Sequence, residues 1–236
     1  MPVQTVTRNP AILSYHALRR VVGIIALALP FLLAGGSILL SLIGPRHALP
    51  EPLLQLSISD YYYTPMGTCY VGGLCIIAAF LMCSRGYDHM DEIVGYLAGI
   101  FALGVAFFPS ENPYSAGYSK LDVEIGYVHT GFAALMFLAI AFFCLFLFPR
   151  SSAHARLTRR KRHRNRIYAA CGGVIVACIV VMMTFTAESV ADWPRPAHSL
   201  LACESLALMA FGVAWLTKGE GILRDKPHER TAPHAL

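Results

Sequence analysis

Charge is what this chain has least of. Only 14% of its 236 residues are Asp, Glu, Lys or Arg, against about a quarter in ordinary soluble domains. The deficit is uneven and leaves long windows almost free of charge, which excludes a water-soluble domain over most of the length. Close cysteine pairs are also missing. Cys69, Cys75, Cys83, Cys144, Cys171, Cys178 and Cys203 fall in or beside apolar runs, and Cys171 and Cys178 stand seven apart. That spacing gives neither a disulfide framework nor a zinc or redox motif, and all seven read as small buried hydrophobes.

Other signatures are absent too. There is no HExxH, no histidine pair one helical turn apart and no GxSxG, so neither a zincin site nor a nucleophile elbow can be read from a motif. The first twenty residues lack the form of a cleavable signal, because the first apolar run starts only after Arg19 and Arg20 and has no small-residue cleavage site at its end. The formal charge of +5 does not indicate nucleic acid: the basic residues flank apolar runs and are not interleaved with aromatics.

What the chain does have is six apolar runs, at about 21–43, 66–84, 93–108, 125–149, 167–187 and 197–217. They are apolar on every face, which excludes the alternation of an outer-membrane barrel strand, and a helix satisfies its own backbone in hydrocarbon. The expected fold is all-α, one polytopic transmembrane bundle of six helices covering residues 1–236. About 20 residues are needed to cross the hydrocarbon core, so the third run looks short: it crosses only if its ends borrow neighbours or the bilayer thins locally, or else it is re-entrant. Pro30 should kink the first. Glycines at 35–36, 72–73 and 172–173, and the Gly95/Gly99 pair, offer flat faces for helix packing within the chain.

Basic residues set the orientation. Of the nineteen lysines and arginines, all but Arg46, Lys120 and Arg195 lie on the side of the two tails and the 2–3 and 4–5 connections. The positive-inside rule puts that side, with both termini, in the cytoplasm of a cell inner membrane. The outer side carries eight of the acids: Glu51, Asp60, Glu111, Asp122, Glu124, Glu188, Asp192 and Glu204.

Three outer positions could carry chemistry. Asp60 lies in SISDYYYTPMG before the second span, His129 four residues into the fourth, and Glu204 within the sixth, about 10 Å below its start. An ionisable group at such depth usually faces a cavity or a partner. Glu204 is either a binding or proton-handling carboxylate or an acid that pins helices together. His129 is either a ligand or an interhelical hydrogen-bonding group. Topology allows these residues to meet, with Tyr61 and Tyr62 beside Asp60, and all five are candidate ligand-binding residues. The three tyrosines 61–63 fit an interfacial aromatic belt. Asp60, His129, Glu204 and His198 are ligand types that suit a metal, but no spacing supports one.

On the inner side, RLTRRKRHRNR (156–166) reads as a basic loop touching anionic lipid head groups through Arg159, Arg160, Lys161, Arg162 and Arg164. SRGYDHMDE (84–92) opposes it in sign. Trp215 and Lys218 should anchor and snorkel at the inner interface.

SISDYYYT before span two, RGYD after it, HTGFAALMF in span four, RNRIY entering span five and ESLALMAFGVAWLTKGE near the end resemble a group of bacterial multi-span membrane proteins of unknown function. More distantly, the six spans and the acid-bearing segment before span two resemble the Frag/Sfk/DRAM-type membrane proteins. That resemblance implies lipid handling and an outer-surface lipid feature around Asp60, and implies no catalytic residue or cofactor. The function to expect is binding of a lipid or small ligand in an outer-facing polar notch, in an accessory subunit or alone. A transporter or channel, or a metal-dependent membrane-embedded lipid hydrolase, stays open, as does assembly into a homo- or hetero-oligomer.

Overall fold

The computed structural model describes residues 10–43, 54–83, 89–115, 117, 119–150, 159–186 and 198–219. The chain termini, Arg46, Glu51, the SRGYD turn (84–88), Arg156, Glu188, Asp192 and Arg195 lie outside these described residues.

Six helices carry the fold: α1 (Pro10–Ile43), α2 (Gly67–Cys83), α3 (His89–Phe107), α4 (Lys120–Phe142), α5 (Arg159–Thr186) and α6 (Ser199–Lys218). Each packs on the next in the chain, and α1 closes on α6, so the six form a ring, with α4 and α6 also touching across it. Five helices are long and apolar enough to cross a membrane. The short one is α2, with 17 residues, or about 25 Å of rise. The third run, expected to be the short one, is a 19-residue helix because His89, Met90, Asp91 and Glu92 join its first turn.

Apolar residues surround these helices on all sides, and little of that surface turns inward. In α5 only 28% of the most apolar window is buried in the bundle. Phe31, Leu42, Phe146 and Val180 are among the apolar side chains that face outward. In water such a belt would be an aggregation surface, and in a bilayer it is solvated by acyl chains. The chain is a multi-pass membrane protein of helical type.

Local chemistry sets the helix ends. Helix α4 starts one turn earlier than the hydropathy suggests because Ser119 and Asp122 form a capping box: Asp122 N–H donates to Ser119 Oγ at 3.2 Å, and Ser119 N–H donates to Asp122 Oδ2 at 2.9 Å. Its far end loosens into a π-turn at Phe143–Leu147. Helices α1 and α6 approach most closely at Gly23 and Gly212. A Cβ on Gly23 would lie 2.9 Å from the Gly212 carbonyl oxygen, and one on Gly212 would lie 2.8 Å from that of Gly23. This reciprocal crossing was not among the glycine pairs expected from spacing. Gly99 packs on α2, against Ala78 and Met82, so that glycine of the GxxxG pair serves packing within the chain.

At the Lys218 end of the ring, Trp215 is 1% exposed. It does not face outward as an anchor would; its ring packs on Phe143, Phe148 and Phe211. Lys218 does not snorkel freely either, because its Nζ donates to the Phe148 carbonyl at 3.1 Å. Lys161 Nζ reaches the same carbonyl at 3.4 Å and that of Arg150 at 3.1 Å. Two ammonium groups thus cap the carbonyl end of α4. The basic run from Arg159 onward is the first two turns of α5 and not a loop. Helical spacing splits it: Arg159, Arg162, His163 and Arg166 face out, while Arg160, Lys161 and Arg164 are half-buried against the bundle. Among the cysteines, Cys144, Cys171 and Cys178 are buried but Cys69 and Cys83 are exposed, so the expectation that all seven are buried fails at α2.

Candidate functional site

At the opposite end, residues 54–66 fold back over the bundle. The centre of this segment is a 3-10 turn, Ser59–Tyr63. Its sequence explains its shape. Ser57 N–H donates to Asp60 Oδ2 at 3.1 Å, and Asp60 N–H donates to Ser57 Oγ at 3.1 Å, a reciprocal cap that fixes S-x-x-D as a turn. Thr64 N–H then bonds the Tyr61 carbonyl at 3.1 Å, and the Thr64 hydroxyl bonds the same oxygen at 2.8 Å. Gly67 starts α2 where no side chain fits, since a Cβ would meet the Tyr62 carbonyl oxygen at 2.3 Å.

Three elements hold this segment down. Helix α6 and its N-cap residue do so at three positions three residues apart. His198 Nδ1 lies 2.9 Å from the Gln55 carbonyl, Leu201 N–H donates to the Leu56 carbonyl at 2.9 Å, and Ile58 N–H donates to Glu204 Oε2 at 2.5 Å. His198 adopts φ 63°, a left-handed conformation uncommon for a side-chain-bearing residue, and its ring bond to Gln55 helps hold it there. Helix α4 contributes His129, whose Nε2 lies 2.9 Å from Ser59 Oγ. The other ring nitrogen, Nδ1, lies 2.6 Å from the Phe108 carbonyl, just beyond α3. In the 3–4 connection, the Ser110 carbonyl accepts from the Tyr63 hydroxyl at 2.6 Å, and the Tyr114 hydroxyl donates to Gln55 Oε1.

These bonds bring Asp60, His129 and Glu204 to one four-residue stretch, Ser57–Asp60. Asp60 belongs to it, His129 bonds Ser59, and Glu204 bonds Ile58. Asp60 and His129 are buried and Glu204 is half-buried. Burial pushes the Asp60 carboxyl above its ordinary value, against the opposing pull of the Ser57 hydrogen bonds. The tyrosines do not form a belt. Tyr61 is fully buried in the core, and Tyr62 and Tyr63 are half-buried with their rings edge to face at 5.1 Å. The aromatic signal was read as interfacial because nothing in a sequence distinguishes an anchor from a ring folded inward beside it.

Beneath the turn is a cavity of about 30 Å³, larger than the roughly 10–15 Å³ that one water needs on this measure. Ser59, Tyr70 and Glu204 give it polar groups, and Leu29, Leu74, Val105, Met136, Phe137 and Leu208 give it apolar walls. Ser59 is one of four outer serines, with Ser57, Ser199 and Ser205, that sequence reasoning sets aside for want of a GxSxG motif. Its partner is 70 positions away, and no local motif surrounds it.

Among the described residues no group of three or more His, Cys, Asp and Glu side chains is placed to hold a metal ion. Both His129 ring nitrogens already have partners, and so does His198 Nδ1. The described residues therefore bring together no donor set of the kind a metal-dependent hydrolase would use. Comparison with known proteins gives no matching family model, no matching curated protein and no matching solved structure.

Proposed function

We propose that this is an inner-membrane protein with both termini in the cytoplasm, and that its Asp60 end, facing outward, binds a membrane lipid or a similar amphiphile. The observation that carries the reading is the cavity under the 3-10 turn, where Ser59, Tyr70 and Glu204 meet walls that are otherwise apolar. The few placed polar groups suit the polar part of an amphiphile, and the small volume admits that part alone, the greasy body lying on the apolar helix faces. Its setting supports the same ligand class, since a belt of outward apolar side chains surrounds the bundle. The likeness of the six spans and the acid-bearing segment before span two to the Frag/Sfk/DRAM-type membrane proteins points the same way. Asp60, Tyr61, Tyr62, His129 and Glu204 then form or support the binding end. At the other end, the outward-facing Arg159, Arg162 and Arg166 lie against anionic head groups.

Native mass spectrometry of the purified full-length protein, followed by extraction and identification of what it carries, tests this. Wild type should retain a lipid-sized ligand that Glu204→Leu loses. Wild type free of ligand after mild extraction from the membrane, or equal retention by a folded Glu204→Leu, overturns the reading.

A further inference from the structure

We propose that Ser59 and His129 form a nucleophile and general-base pair for acyl transfer from an oxygen ester, a site that no motif in the chain announces. The inference rests on the proposed lipid-binding end and assigns it a chemistry.

The argument starts from which atoms carry protons. The Phe108 carbonyl can only accept, so His129 Nδ1, at 2.6 Å from it, carries the hydrogen. In the neutral ring Nε2 is then a bare acceptor, and the contact of 2.9 Å to Ser59 Oγ is a bond donated by the serine hydroxyl. This is the arrangement an activated serine needs: the hydroxyl on a base, and the base held in one tautomer by a third group. The third group here is a backbone carbonyl where the familiar triads use a carboxylate. Both side chains are largely withdrawn from solvent, at 8% exposure for Ser59 and 5% for His129. Ser59 also lines the cavity, so its oxygen borders space into which a reacting group can come.

The neighbouring groups have matching roles. Tyr70 lines the same cavity, and its hydroxyl reaches the Val105 carbonyl at 3.5 Å and the Ser59 side chain, so it stands beside the oxygen where an oxyanion would form and can turn its proton toward it. Glu204 is a positioning residue, because its bond to Ile58 N–H fixes the residue before Ser59. The cavity has room for a carbonyl or a water and not for a whole lipid, so the reacting ester group alone enters and the acyl chain stays among the apolar helix surfaces.

The step balances without a metal or a redox partner. Ser59 Oγ forms a bond to the ester carbonyl carbon while His129 Nε2 takes the serine proton. The carbon–oxygen bond to the leaving alcohol breaks, and the alcohol oxygen takes that proton from His129. The acyl-serine is then attacked by water or a second alcohol, whose proton passes through His129 to Ser59 Oγ as the acyl group leaves.

A fluorophosphonate probe, which phosphonylates activated serines, tests this on full-length protein in lipid nanodiscs, read by intact mass and peptide mapping. Wild type should gain one adduct, on Ser59, and folded Ser59→Ala should gain none. His129→Asn should react about 100-fold more slowly or worse, and Ser57→Ala, which leaves both partners in place, should still react at Ser59. Ser59 left unmodified in folded wild type, or an adduct only elsewhere, overturns the acyl-transfer assignment. If that wild type still carries lipid, the binding reading survives the loss. If wild type reacts at Ser59 but carries no lipid, the chemistry stands and the binding reading falls. Should His129→Asn fail to fold, the comparison of wild type with Ser59→Ala still decides.

Discussion

The backbone N–H of Ile58 meets the Glu204 carboxylate at 2.5 Å, across 146 positions of chain. That bond joins the segment between α1 and α2 to the last helix, and it explains an ionisable residue within α6 before any ligand is considered. Replacing Glu204 by Gln keeps an acceptor of the same reach. Replacing it by Leu leaves a backbone donor unpaired in a place water reaches poorly, at a cost of about 2 kcal/mol. Thermal unfolding in detergent should show Glu204→Gln near wild type and Glu204→Leu several degrees lower. Equal melting of the two variants would remove the bond from the account.

The α1/α6 crossing should tolerate no methyl group. Gly212→Ala places a Cβ 2.8 Å from the Gly23 carbonyl oxygen and from Leu27 Cγ. The helices must move apart, at about 1–3 kcal/mol. Gly35→Ala is the internal comparison, since a Cβ there meets nothing within 4 Å, and helix propensity favours alanine. The expected order of melting temperatures is Gly212→Ala below wild type, with Gly35→Ala equal to or above it.

Asp60 gives stability a pH dependence of definite sign. Burial raises its folded-state value above that of the unfolded chain, so folding favours the protonated acid. The favourable contribution is complete below the unfolded value, near 3.8, and is lost as pH rises through the higher folded one. Asp60→Asn keeps an oxygen to accept from Ser57 N–H and never ionises. It should match wild type at about pH 4 and exceed it in melting temperature at pH 7.5. A wild type that gains on Asp60→Asn as pH rises would reverse the sign and with it the claim that desolvation outweighs the hydrogen bonds.

The basic start of α5 divides into two faces with different consequences. Lys161 bonds the carbonyls of Phe148 and Arg150, so Lys161→Met should lower the melting temperature. Arg159, Arg162 and Arg166 face outward, and removing them should spare the fold. Each contributes about 1 kcal/mol near an anionic surface, so exchange of phosphatidylglycerol from the protein should speed up about fivefold per charge removed. Unchanged exchange in the triple Gln variant would confine these arginines to setting orientation.

Much of this was legible in the sequence, for physical reasons that also mark where legibility stops. Hydropathy over twenty residues is a one-dimensional signal, so six helices and the proximity of Asp60, His129 and Glu204 to one end followed from span count alone. Helix ends depend on single side chains. The Ser119–Asp122 cap and the first turn of α3 therefore moved boundaries that an apolar average could not see. The basic stretch reads as a loop because charge marks the limit of the membrane, while from Arg159 onward the backbone is helical. Tyr61 and Trp215 have the composition of interface residues and the location of core residues, a choice made by packing. Ser59 was the furthest from view. Its importance comes entirely from a histidine on another helix, and Gly23 and Gly212 are linked in the same way.

The manner in which residues 54–66 are held has a consequence for assembly during synthesis. The segment leaves the ribosome after the first helix, yet its partners include Ser110, Tyr114, His129, His198, Leu201 and Glu204, all made later. Until α6 is inserted, Gln55, Leu56 and Ile58 have backbone groups without their final partners, and the ring has no α1/α6 seam. The final helix is thus both the last wall and the latch, and a ribosome stalled before it leaves an open bundle with an unseated plug.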